Sequence, residues 1–493
     1  MVLLALAVSC GGPATRSPQT TTQATGAGLL TAADVQAVVQ NAGQSVDAPI
    51  VISVSDRSGN VLAVFRKTGA PATATGNFGA TVNADDLAVS LARTAAFFSN
   101  DQAPLSSRTV RFISASHFPA GVDNTPSGAL YGIENTNRGC PLNVAFLPGQ
   151  SLPRAQALTG GPGLGVTTGK ADVLDSDQAA VNPGGVPLFK GGHLVGGVGV
   201  AGASPEIAEF AAYSGAVGAG FGAQPNPPGV VIIDGVALPF VNQTTRPSGT
   251  NAGAASGSFT VGPIASPAAT PEGDLIAQRA GNALTAADVQ QIVANAVATA
   301  NTTRAVIRLP DGSRARMAIA VSDLDGTLLA LYRMPDATVF SVDVAAAKAR
   351  NMVYFSSSAG AADLPGVPAG TAVTNRTIGF GAQPFFPSGI SNSSPGPFFS
   401  LYAYDVAHPC SQGSQAANAN QSGIVFFPGS LPLYKNGVLV GGLGVSGDGV
   451  DQDDYVAAGG AAGFEAPAAV RADQIVINNV RLPYLKFPRN PTQ

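Results

Sequence analysis

The sequence predicts an α+β fold built twice: two domains, each an antiparallel sheet flanked by helices, packed together as a pseudo-dimer. Three observations lead there. The chain has 493 residues, more than one hydrophobic core usually serves. Its segments recur in the same order along the chain. Within each copy, helical apolar spacing gives way to strands joined by two-residue turns, which implies antiparallel pairing.

The recurrence is direct. "LTAADVQAVVQNA" at 30–42 returns as "LTAADVQQIVANA" at 284–296, and "ISVSDRSGNVLAVFR" at 52–66 as "IAVSDLDGTLLALYR" at 319–333. "VPLFKGGHLVGGVGVAG" at 186–202 returns as "LPLYKNGVLVGGLGVSG" at 431–447, and "VVIIDGVALPF" at 230–240 as "IVINNVRLPY" at 475–484. The offsets are 254, 267, 245 and 245, so order is kept and loop lengths differ. The domains read as 28–242 and 282–487, joined by a linker at 243–281. That linker is too poor in large apolar residues for a core, although its "SFTVGPI" suits a surface strip.

Each element has a local cause. Thr31 and Thr285 precede Ala-Ala-Asp, so each can cap a helix that Asp34 or Asp288 supports by first-turn charge. Leu30, Val35, Val38 and Val39 form an apolar stripe at helical spacing. Ile50, Ile52 and Val54 alternate, and after a turn at Asp56–Asn60 so do Val61, Ala63 and Phe65: a hairpin. A second helix follows at 85–99 and 342–356. A later hairpin turns at Gly191–Gly192 and Asn436–Gly437, and a last helix spans 204–217 or 453–464. Copy two adds an expected hairpin at 305–319, and copy one an insertion of about 38 residues after "FLPG" at 146–149.

Charged residues are 11% of the chain, against about 25% in ordinary soluble proteins. With a net charge of −4 and no Lys/Arg cluster, nucleic-acid binding is not expected. Residues 2–8 are continuously apolar and Ser9 precedes Cys10, a pattern similar to a lipoprotein signal over 1–10 that would leave Cys10 lipidated. Residues 11–27 then read as a flexible tether. An exported protein of the periplasm or cell surface, held to the membrane by its lipid, is the expectation.

The start "LTxxDV", the hairpin "VsDxxGxLlAxxR" and "GGxGVsG" followed by an Ala-rich helix resemble the GlcG/HbpS-like family, often described as haem-binding, in both copies. The resemblance implies a profilin-like fold and non-covalent haem, or another small planar ligand. It assigns no ligand residue.

Each chemistry-bearing motif has a structural alternative beside its functional one. "VSDLDGTLLAL" at 321–331 imitates a phosphatase nucleophile loop, with Asp323 attacking and Asp325 as acid/base. Its sister holds Asp56 but puts Ser58 where Asp325 stands, so a hairpin turn is the better reading. Gly197, Gly199, Gly442 and Gly444 lie on strands whose missing side chains admit either a packed helix or a ligand; the ligand-facing reading makes them candidate contacts. Of three histidines, none recurs in the other copy, and no C-x-x-C-H exists for covalent haem. His117, between Phe112 and Phe118, is the candidate axial ligand; His193 and His408 read as loop residues. Cys140 and Cys410 occupy equivalent places, so a disulfide across a pseudo-two-fold axis and two separate buried thiols both fit. A bridge would close about 270 residues, worth on the order of 4–5 kcal/mol.

The expected function is non-catalytic binding of haem or a similar planar ligand. A protein–protein scaffold, with pseudo-dimers assembling into homo-oligomers, is the second reading. Chemistry on a small organic acid or corrinoid is the third.

Overall fold

The computed structural model describes residues 28–142, 152, 155–177, 179, 181–223 and 229–493. The signal, the tether and Cys10 lie outside the described residues. Repeat one runs α1 (Ala32–Ser45), β1 (Val51–Asp56), β2 (Val61–Lys67), α2 (Ala84–Phe98), α3 (Ser107–Phe112), β3 (Gly185–Lys190), β4 (His193–Ala201) and α4 (Pro205–Gly218). Between the repeats come β5 (Gly257–Val261) and β6 (Gly273–Ile276). Repeat two runs α5 (Ala286–Thr302), β7 (Ala318–Ser322), β8 (Leu328–Arg333), α6 (Phe340–Phe355), α7 (Asn375–Gly381), α8 (Phe399–Ala407), β9 (Ser430–Lys435), β10 (Val438–Ser446) and α9 (Val450–Gly460).

Thr31 caps α1: its hydroxyl accepts the Asp34 amide (3.1 Å) and the Asp34 carboxylate accepts the Thr31 amide (2.8 Å). Thr285 and Asp288 repeat this box on α5 at 3.1 and 2.7 Å. Each capping aspartate also takes a lysine from the late hairpin, Lys190 at 2.7 Å and Lys435 at 2.9 Å.

Each repeat's main sheet has five strands, antiparallel throughout, in the orders β3-β4-β1-β2-β5 and β6-β8-β7-β10-β9. Every residue of β1 and β7 is buried, because helices cover both faces. Ile50, Ile52 and Val54 pack with Val35 and Val38 of α1 and Ala212 of α4. On the other face Val51 and Val64 pack with Leu87, Ala88 and Leu91 of α2.

The glycine strands belong to that second face. A methyl group on Gly197 or Gly199 would strike the carbonyl oxygen of Ala92 or Ala88 in α2. Gly442 and Gly444 meet Ala349 and Ala345 of α6 in the same way. The ligand-facing reading of these four glycines is therefore corrected: helix backbone occupies the space their side chains leave.

Two further expectations change. Residues 243–281 are not only a connector, because β5 adds an edge strand to the first sheet and β6 to the second. Phe259 of "SFTVGPI" gives β5 its purchase, its ring 4.9 Å from Phe65. The hairpin expected at 305–319 reduces to one bridge, Arg304 to Arg314. Its arm faces repeat one instead: the Ile307 and Leu309 carbonyls accept from Asn100 (3.1 Å) and Gln102 (2.7 Å) side chains.

Equivalent residues of the two repeats meet, as a pseudo-two-fold axis requires. Tyr131 stacks on Tyr402 with ring centroids 5.2 Å apart, and Cys140 is disulfide-bonded to Cys410. Around them Phe98 stacks on Phe340 at 4.0 Å, and Asp336 takes both Arg57 of repeat one and Arg308 of repeat two.

Cys140→Ser should lower the unfolding free energy by up to about 5 kcal/mol. The readout is the urea midpoint, and reductant should bring the wild type to the same value. Gly444→Ala should cost about 1–3 kcal/mol through overpacking against α6; a thermal melt matching wild type would mean the helix has room to spare.

Candidate functional site

The polar chemistry buried between the repeats gathers where the sequence writes Leu-Tyr twice, at 130–131 and 401–402, followed by an acid at Glu134 and Asp405. Glu134 pairs with Lys170 at 2.6 Å and accepts the Thr168 hydroxyl at 2.8 Å. Lys170 also donates to the Ser114 carbonyl at 2.5 Å. Burial drives the Lys170 ammonium below its ordinary range, while Glu134 opposes the shift. Asp405 accepts the Ile424 amide at 3.0 Å, and Arg138 of repeat one donates to the Asp405 and Val406 carbonyls at 3.1 and 3.2 Å. Burial pushes the Asp405 carboxyl up to about 7, against the pull of Arg138 and the Ile424 amide. The Tyr131 and Tyr402 phenols are pushed well up, first by burial and then by Glu134.

His117 faces its own equivalent position in repeat two, Phe385, with ring centroids 5.5 Å apart. The aromatic setting is present, Phe112 standing edge-on to Phe118 at 5.7 Å and Phe380 to Phe386 at 5.3 Å. Both imidazole nitrogens are nonetheless engaged: Nδ1 with the Ser176 hydroxyl (2.8 Å) and Nε2 with the Ser391 hydroxyl (3.0 Å). His117 thus ties the insertion of repeat one to a loop of repeat two. His193 is exposed on the late hairpin with Nδ1 against Asp101 (2.7 Å). His408 ends α8, its Nδ1 on the Tyr404 carbonyl (2.9 Å) and its ring stacked 3.9 Å from that of Tyr404.

The carboxylates of the phosphatase-like loop serve their turns. Asp56 accepts the Asn60 amide (2.9 Å) and side chain (2.8 Å), and Asp323 accepts the Leu324 and Asn282 amides at 2.9 and 2.7 Å. Asp325 accepts the Thr327 amide and hydroxyl at 2.8 and 3.0 Å.

A buried ion pair in each repeat escaped sequence reasoning. Arg108 grips Glu209 through two bonds of 2.7 and 2.9 Å, and Arg376 grips Asp454 at 2.5 Å, joining α3 to α4 and α7 to α9. "SSRT" at 106–109 and "TNRT" at 374–377 carry the arginine in both copies, and that recurrence was the available signal. Among the described residues no group of three or more His, Cys, Asp or Glu could hold a metal ion. Nor is any helix there long and apolar enough to cross a membrane.

Between about pH 4 and about pH 7 the folded chain holds a proton on Asp405 that the unfolded chain has released. This carboxyl's contribution to stability therefore falls as pH rises through that window. Asp405→Asn should flatten the stability profile there, measured by urea denaturation at each end; an unchanged slope would count against the assignment.

No curated protein matches the chain. Solved structures similar to it include the following three. A PduOC:haem complex is 24% identical, covering 38% of this chain and 97% of its own, with a TM-score of 0.25. Klebsiella pneumoniae protein ORFY is 21% identical, covering 36% and 88%, with a TM-score of 0.24. A double mutant of Streptomyces reticuli HbpS is 21% identical, covering 40% and 97%, with a TM-score of 0.23. The family described as "Haem degrading protein HbpS-like" matches at residues 30–216 and again at 284–462. The chain belongs to the HbpS-like family, twice over in one polypeptide.

Proposed function

We propose that the protein binds haem or a similar hydrophobic planar ligand without acting on it. Membership of the HbpS-like family through both repeats is the observation that carries the haem-binding part of this reading. The carboxylates that could serve acid/base chemistry in the hairpin loops are spent on their own turns, which supports a binding role.

An axial ligand to haem iron needs an imidazole nitrogen left open, with the other nitrogen oriented by an oxygen. His117 does not fit, since ligation through Nε2 would cost its Ser391 bond. His193 and His408 fit: each has Nδ1 on an oxygen, and Nε2 has no partner among the described residues. His408 is the stronger candidate, because Tyr404 beside it is 40% exposed and adds an aromatic surface. Haem would supply the iron and the planar face; His408 would supply the donor.

We further place the protein outside the cytoplasm, lipid-anchored through Cys10. The apolar run before Cys10 supports this, as does a disulfide, which persists in oxidising compartments. A scaffold role is the second reading. It is favoured by Val122 and Ile390, 45% and 51% exposed at equivalent loop tips that Asn124 and Ser391 bond together.

Titration with haemin, followed at the Soret band, should give a saturable shift at micromolar protein. His408→Ala should weaken binding by more than the roughly tenfold that loss of a ligand's hydrogen-bond support costs. His117→Ala should keep the shift and melt lower. No saturable shift in the wild type would overturn the haem reading and leave the scaffold one.

A further inference from the structure

An α-helix leaves its last four carbonyls without partners of its own, and what meets them decides how the helix ends. In α8 the first of the four, that of Tyr404, accepts the His408 amide at 2.9 Å and His408 Nδ1 at 2.9 Å. The next two, of Asp405 and Val406, both accept from Nη1 of Arg138, at 3.1 and 3.2 Å. Arg138 belongs to repeat one, so one repeat closes a helix of the other. Two residues past Arg138, Cys140 is disulfide-bonded to Cys410, which lies two residues past His408.

His408 therefore stands between two holds, both supplied by the segment Arg138-Gly139-Cys140. On one side the guanidinium grips carbonyls of the last turn of α8; on the other the disulfide fixes the chain beyond Pro409. Nη1 carries two hydrogens, one for each carbonyl, so the planar group sets direction as well as distance. Ser411 adds a local bond from its hydroxyl to the His408 carbonyl at 2.7 Å. Arg138 and Cys140 are buried, and the holds lie beneath a surface on which Tyr404 and His408 are exposed. Repeat one has no such helix end to present. Its own Leu-Tyr stretch makes only a 3-10 turn, Ile133–Asn135, and buried Ile133 stands where Tyr404 stands.

A metal-bound imidazole depends on the groups that orient it, and losing one costs about 10–100-fold in affinity. The orientation of His408 comes from its Nδ1 bond to the Tyr404 carbonyl and its stack on the Tyr404 ring, and both require the last turn of α8. We propose that Arg138 and the Cys140–Cys410 bridge are positioning residues for haem: through them repeat one holds the donor that repeat two offers. The inference rests on the haem reading, with His408 as its donor. It makes haem affinity a property of the two repeats together rather than of either alone.

Two measurements on the full chain test it: hydrogen exchange without haem, and haemin titration at the Soret band. In Arg138→Gln, amides over 402–411 should exchange faster while those of α5 keep wild-type rates. The same variant should bind haemin about 10–100-fold more weakly. Arg138→Lys, which keeps a charged donor, should recover part of that loss. The paired variant Cys140→Ser/Cys410→Ser should weaken haemin in the same direction, and it carries the test where Arg138→Gln does not fold. Because the effect runs through His408, Arg138→Gln added to His408→Ala should weaken haemin no further than His408→Ala alone. Wild-type affinity in a folded Arg138→Gln chain, unchanged exchange over 402–411, or an additive double variant would overturn the proposal and leave the haem reading standing. Unaltered binding by His408→Ala would also sink this proposal alone. No Soret shift in the wild type would overturn both.

Discussion

In each repeat a helix rests its backbone directly on the glycines of an inner strand. α2 lies on Gly197 and Gly199, and α6 on Gly442 and Gly444. From that height Arg93 reaches the carbonyl of Gly59, and Arg350 that of Gly326, in the turn of the early hairpin. Both turn glycines have positive φ, 93° and 80°, a conformation that side chains resist. The turn's own aspartate, Asp56 or Asp323, holds it from the other side. Strand, helix and turn thus form one braced unit, and what looks like catalytic sequence is the bracing.

The repeats share this unit but neutralise their buried charges differently. Glu134 is met by Lys170, drawn from the same repeat. Asp405, at the equivalent position, lies beside Arg138 of the other repeat. Arg350 likewise draws on Pro141 of repeat one, whereas Arg93 uses Gln156 of its own. Buried ion pairs are weak evidence of stability, since desolvation offsets attraction, but they are strict about geometry. Repeat two is therefore completed by repeat one to a degree that the reverse contacts of Arg93 and Lys170 do not match.

Much of the fold was legible because its causes are local. Thr31 with Asp34 specifies a helix start, Asp56 to Asn60 a turn, and the doubled segments a doubled domain. The equivalence of Cys140 and Cys410 narrowed their state to two choices. What escaped depends on distant partners. His117 looked available because Ser176 and Ser391, 59 and 274 residues away, are invisible to local pattern. The strand at 257–261 is half-exposed at an edge, so its apolar content is too thin to announce it. The stretch at 305–319 reads as a hairpin but forms only one bridge, because its carbonyls find partners in the other repeat. The four glycines carried a real signal of close approach, and only the identity of the approaching group was open.

The cross-link between the repeats also sets a timetable. Cys140 leaves the ribosome 270 residues before Cys410, and β5, which completes the first sheet, lies between them. Repeat one can finish its sheet while its thiol is still waiting. Repeat two arrives last and leans on Arg138 and Pro141, which flank that waiting thiol. Correct pairing then follows from docking rather than preceding it: the older half acts as the mould against which the younger half is cast, and oxidation records that the casting is done.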